Sequence, residues 1–213
     1  MASTSLGDRV DERSKHTVHR LEAFSDIVMG FCLAQLGLNL PLPKSPADVT
    51  SVWASTMLLI TAFVGIAIIW WLYHRIFSTY FVFSMPMVIV NFGMLCGLVL
   101  TMYLFECVAH EVAAGQNPVA FFIALVIALC LVYAALAVML LVGLRVRRDE
   151  LSPSEKQWAI DQLASIAMSV PAAVAAIALS THHAWLAVVA IVLAALIVIV
   201  HRVIVPRLAS RTA

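Results

Sequence analysis

The chain has 213 residues, 63% of them hydrophobic and 12% charged, with a mean hydropathy of +1.00. That is roughly half the charge of a soluble domain, gathered in a few breaks between apolar runs of about 20 residues, which excludes a soluble globular domain and is the pattern of a polytopic membrane protein. A formal net charge of +1 offers no electrostatic footprint for nucleic acid, and the absence of G-x-S-x-G, H-E-x-x-H or Walker-type patterns leaves no enzyme, metal or cofactor site to expect.

The expected fold is all-α, with six membrane-spanning helices. A polar tail over 1–19 carries charges and no cleavage motif, so it is read as cytoplasmic and not as a signal peptide. The membrane domain is expected over 20–205 and a short cytoplasmic tail over 206–213.

The first apolar run, 20–40, begins with Arg20, Glu22, Ser25 and Asp26 and is later broken by Gln35 and Asn39. Asp26 lies about 9 Å beyond Arg20 along a helix. An isolated carboxylate at that depth is costly and needs partners or water. At about 100° per residue, Phe24, Phe31 and Leu38 share a stripe with Gln35 close beside it. Asp26 points to the other side, toward the subunit's own bundle. An apolar stripe suits lipid or core, but an amide does not, so Gln35 is expected to face protein or water.

The second run, 47–73, follows Ser45-Pro46-Ala47-Asp48, which places serine at N-cap, proline at N1 and an acid at N3. It travels inward, so Trp71 and His74 at its end arrive at the depth of Asp26. A protonated His74 is expected to pair with Asp26, and the Trp71 indole N–H to donate to it; the alternative is separate interfacial anchors. In the third run, 79–105, Asn91 extends this layer toward Ser25. Its methionines Met85, Met87, Met94 and Met102 have no ligand spacing and read as packing.

The fourth run, 118–144, opens on Asn117-Pro118, and the fifth, 155–180, on Ser152-Pro153-Ser154-Glu155, both with helix-start chemistry. Asp161 enters the fifth span where Arg145 to Arg148 can compensate it, and Ser165, Ser169 and Ala173 form a small-residue stripe suited to close helix contact. Interior prolines Pro86 and Pro171 predict kinks. His182-His183 occupies a short external turn, read as an exposed loop with metal binding or pH sensing as the alternative. The sixth run is 184–205. Cys32, Cys96, Cys107 and Cys130 form no C-x-x-C pair and read as small buried hydrophobes.

Basic residues set the orientation. Arg9, Arg13, Lys15 and Arg20 precede the first span, and Arg75 lies between the second and third. Arg145, Arg147, Arg148 and Lys156 lie between the fourth and fifth, and Arg202, Arg207 and Arg211 close the chain. Of the thirteen, Lys44 alone falls on the opposite side. The positive-inside rule therefore puts both termini in the cytoplasm, with the chain in the cell's inner (plasma) membrane. No internal repeat is visible, unlike the commonest secondary transporters. Six helices are too few to enclose a wide pathway, so conduction implies a symmetric oligomer with its pathway on the axis.

Arg20-x-x-x-Phe24-Ser25-Asp26 resembles the R-x-x-x-F-S-D signature of the endolysosomal potassium channel family of the transmembrane protein 175 type. Trp71-x-x-His74 resembles the W-x-x-H at the end of that family's second helix, and Asn91 looks like the asparagine of its third. The single six-helix unit is similar to the prokaryotic branch. That resemblance implies a homotetramer with the first helix lining a central pore. It further implies a structural hydrogen-bonded layer of Arg20, Ser25, Asp26, Trp71, His74 and Asn91 supporting that helix. The constriction positions would be Phe31, Gln35 and Leu38, with Ala34 where the family has threonine. An amide in place of an aliphatic ring changes hydration at the narrowest point. The expected function is therefore a potassium-permeable, weakly selective channel whose partners are monovalent cations, the lipid bilayer and copies of itself. The alternative is a non-conducting membrane scaffold or partner subunit that keeps the fold, with a small transporter a more distant third.

Overall fold

The computed structural model describes residues 6–39 and 49–181. The expected sixth span, the Ser45–Asp48 helix start, Lys44 and His182-His183 lie outside the described residues. Within them the chain forms five helices: α1 (Leu6–Asn39), α2 (Val49–Tyr80), α3 (Met85–Ala113), α4 (Val119–Val146) and α5 (Pro153–Ser180). Four of these are long and apolar enough to cross a bilayer, namely α2 from Leu59, α3, α4 and α5. α1 falls outside that set, and its packing on α2 and α3 is what ties it to the bundle.

The helix ends follow local chemistry. Ser152 accepts from the Glu155 backbone N–H while the Glu155 carboxylate accepts from the Ser152 backbone N–H, a complete capping box with Pro153 in the first turn. Pro118, expected at N1, is instead the N-cap of α4, and Asn117 Oδ1 just ahead of it accepts from Val119 N–H at 3.1 Å. α3 closes through Gly115, whose φ of 71° carries the chain out while Gln116 N–H reaches Glu111 O and Gly115 N–H reaches Val112 O. That is a Schellman ending, and glycine takes its left-handed position at no steric cost. Pro86 does not kink a helix interior as expected. It sits in the first turn of α3, where its missing N–H has no intrahelical carbonyl to serve. Pro171 does lie inside α5, and is buried there.

α3 and α4 pack most extensively, and α4 also touches α2 and α5. At Gly97 a Cβ would stand 3.1 Å from Val132 Cγ2, so the small residue lets the α3 and α4 backbones close up. The core cluster draws Met29 and Cys32 from α1, Ile66, Tyr73 and Ile76 from α2, Met94 and Leu98 from α3, and Val132 and Leu136 from α4. Met87, Met94 and Met102 are packing residues, whereas Met85 at the head of α3 is exposed. Many large apolar side chains, including Trp53, Ile68, Ile89 and Leu131, face outward. In water such a surface would aggregate; in a bilayer it is solvated by acyl chains. Not every cysteine is buried: Cys32 is, Cys96 is exposed on the outer face of α3, and Cys107 and Cys130 are intermediate, all four being free thiols.

A polar cluster ties the end of α2 to the α4–α5 turn and the start of α5. Tyr80 donates its hydroxyl to Glu155 O at 2.7 Å and stacks on Trp158, which also lies under the Arg75 guanidinium, 4.3 Å from its carbon. Arg147 donates to Thr79 O at 2.7 Å and pairs with Glu150 at 3.0 Å. Arg147 of the α4–α5 turn thus anchors α2, and Gln157 Nε2, one turn back, donates to Asp161 Oδ1 at 3.0 Å.

Candidate functional site: the polar layer and the outward stripe of α1

α1 and α2 meet through two polar contacts one helical turn apart on each. Trp70 Nε1 donates to Asp26 Oδ1 at 2.9 Å, and His74 Nδ1 lies 3.2 Å from Glu22 Oε1. Going up α1 from Glu22 to Asp26 goes down the numbering of α2 from His74 to Trp70, as antiparallel neighbours require. Trp70 and His74 stack on each other with ring centroids 5.7 Å apart, which fixes both rings against α1.

Two expectations change here. The indole on Asp26 belongs to Trp70 and not Trp71, and His74 meets Glu22 and not Asp26. Depth was read correctly, but one residue is about 100° of rotation. Trp71 faces away, half exposed, with the Arg75 guanidinium carbon 5.9 Å from its ring centroid. Arg20 does not join the layer: it is exposed and makes no hydrogen bond or ion pair among the described residues.

Behind this ladder lies the buried part. Asn91 Nδ2 of α3 donates to Ser25 Oγ at 3.3 Å, and Ser25 Oγ donates to Leu21 O at 2.9 Å. Ser25, Asn91 and the neighbouring Tyr73 of α2 are each 0% exposed. Three helices therefore place a hydroxyl, an amide and a phenol together in the apolar interior. Tyr73 Oη and Asn91 Oδ1 have no partner among the described residues, so the layer is only partly satisfied. Sequence reasoning missed Tyr73, Trp70 and Glu22. The available signal was the spacing of Glu22 and Asp26, one turn apart, against that of Trp70 and His74.

The opposite side of α1 is bare. Ile27 is 69%, Phe31 67% and Leu38 80% exposed, and Ala34 is exposed between them. Their spacing of four, three and four residues makes one stripe along the helix. Gln35 sits about 60° round from its centre and is partly buried. Phe24 leaves the stripe to meet Phe92 of α3, with centroids 5.8 Å apart. α1 thus presents a polar, helix-bound face and an apolar face with nothing of its own chain over it among the described residues.

Residues 20–101 match the family described as Endosomal/lysosomal potassium channel TMEM175. Over that stretch, well under half of the chain, the protein is similar to the TMEM175 family. The matched stretch takes in the layer's three helices: most of α1, all of α2 and the first part of α3. Among solved structures, a variant of the potassium channel MtTMEM175, crystallised in complex with a nanobody–MBP fusion protein, superposes with a TM-score of 0.61. It shares 17% sequence identity, and the alignment covers 90% of this chain and 93% of that one. At that identity the likeness is one of fold. No curated protein sequence matches the chain. The family matched is a channel family, and the four long apolar helices are those of a multi-pass membrane protein.

Proposed function

We propose that the protein is one subunit of a homotetrameric cation channel of the plasma membrane, potassium-permeable and weakly selective, with both termini cytoplasmic and α1 along the axis. The observation that carries this reading is the division of α1 into two faces. A helix fastened to α2 and α3 by Asp26, Glu22 and Ser25 while holding Ile27, Phe31, Ala34 and Leu38 outward has the build of a pore helix. Phe31 and Leu38 then form apolar rings around a four-fold axis, and such rings gate by dewetting. Gln35, on the flank between them, brings amide donors and acceptors that hold water near the constriction. An amide cannot neutralise a cation as a carboxylate does, so passage is eased without strong discrimination.

The layer of Ser25, Asp26, Trp70, Tyr73, His74 and Asn91 holds α1 at a fixed rotation and is not a permeation site. Potassium and sodium flux in liposomes carrying the purified protein tests the reading: both ions pass, with a modest preference for potassium. Gln35→Leu lowers flux several-fold and raises the potassium preference. Unchanged flux and ion ratio in both Gln35→Leu and Gln35→Trp would remove Gln35 from the pathway. A second reading rests on the same stripe: with four apolar residues in line, the axis is dry and the protein is a non-conducting scaffold. Flux indistinguishable from empty liposomes, restored by neither Phe31→Ala nor Leu38→Ala, selects that reading.

A further inference from the structure

α1 and α3 do not close on each other along their outer edges. An open recess of about 560 Å³ lies between them, walled by Val28 of α1 and by Leu95, Cys96, Val99 and Tyr103 of α3. A second recess, of about 460 Å³, lies at the cytoplasmic end of the proposed topology, with His16, Arg20, Met85 and Val88 in its wall. Phe24 and Phe92 line both, so the two recesses run end to end. Together they span about 27 Å of α3 from Met85 to Tyr103 at 1.5 Å per residue, close to the thickness of a bilayer's hydrocarbon core.

The groove is chemically one-sided. Its deeper part is walled by hydrocarbon, aromatic rings and a thiol, and its mouth carries the permanent cation of Arg20. That guanidinium has no acidic partner among the described residues, because Glu22 takes His74 and Asp26 takes Trp70. Covering the groove with a second copy of the chain would bury an unpaired guanidinium against an α1 whose acids are already engaged, which is costly. An amphiphile with a negative head and an apolar tail meets both ends at once, and basic pockets between helices on the cytoplasmic side hold anionic lipid heads in this way.

We propose that the α1–α3 groove binds an anionic phospholipid of the inner leaflet, its phosphate on Arg20 and one acyl chain lying past the Phe24–Phe92 pair toward Tyr103. The site is independent of ion conduction and stands whether or not the axis conducts. Native mass spectrometry of the detergent-purified protein, titrated with phosphatidylglycerol or phosphatidylcholine of the same acyl chains, tests it. Phosphatidylglycerol is retained several-fold more than phosphatidylcholine. Arg20→Gln brings it down to the phosphatidylcholine level, and Arg20→Lys keeps the preference. Cys96→Trp and Val99→Trp, which fill the tail channel, reduce retention of both lipids. Equal retention of the two lipids by the unaltered protein, or a preference that survives Arg20→Gln, overturns the proposal. So does loss of oligomeric mass in both tryptophan variants with lipid retention intact, which would make the groove a seat for a second copy.

Discussion

The contact between Ser25 and Asn91 gives the layer its sharpest test. Ser25 Oγ spends its hydrogen on Leu21 O at 2.9 Å and accepts from Asn91 Nδ2 at 3.3 Å. Ser25→Ala deletes that acceptor and leaves an amide donor in a site that is 0% exposed, where Asn91 Oδ1 is already without a partner. A hydrogen bond between membrane helices contributes on average about 0.6 kcal/mol, but an orphaned buried group costs about 1–3 kcal/mol. The contact is long for an N–H···O bond, so the lower half of that range applies, and Ser25→Ala is expected to cost about 1–2 kcal/mol. Asn91→Leu leaves Ser25 its bond to Leu21 and costs less. Once Asn91 is gone the serine has nothing left to satisfy, so the double variant falls short of additivity by about 0.5–1 kcal/mol. Unfolding in mixed micelles titrated with sodium dodecyl sulfate, monitored by tryptophan fluorescence, measures all three. A neutral Ser25→Ala, or a double variant additive within about 0.3 kcal/mol, would refute the coupling of α1 to α3 through this pair.

Trp70→Phe removes the donor to Asp26 and is expected to cost about 1 kcal/mol in the same unfolding assay, whereas Trp71→Phe stays within about 0.5 kcal/mol; the reverse order would restore the contact read from sequence. Gly143→Ala drives a methyl group into the Tyr80 carbonyl, an overpacking of about 1–3 kcal/mol or more, and is expected to lower the yield of monodisperse protein. Gly93→Ala, with open space at its Cβ, serves as its control and leaves that yield unchanged. In a background without the native cysteines, Lys44→Cys is labelled by an impermeant reagent from outside and Arg148→Cys is not; labelling at 148 alone would invert the topology.

The sequence by itself determined what depends on composition and on short-range spacing. Apolar runs of bilayer length, separated by charged breaks, require membrane helices because no other backbone arrangement among these segments satisfies its own hydrogen bonds in hydrocarbon. The Ser152–Glu155 capping box was legible because a cap is made within four residues. Residue depth was legible too, since a helix rises at a constant rate, and so Asp26 and the end of α2 were brought to one level. Only the tertiary structure decided which side chain at that level faces which. Helix–helix rotation is set by the packing of Met29, Ile66 and Tyr73 into the shared core, and an error of one residue turns a side chain by more than a quarter of the circle. That rotation is why Trp70 holds Asp26 while Trp71 meets Arg75, why Glu22 takes His74, and why Arg20 is left at the mouth of a groove. Tyr73 came into the layer the same way: its place beside Ser25 and Asn91 depends on three helices meeting, and no spacing along one of them encodes that.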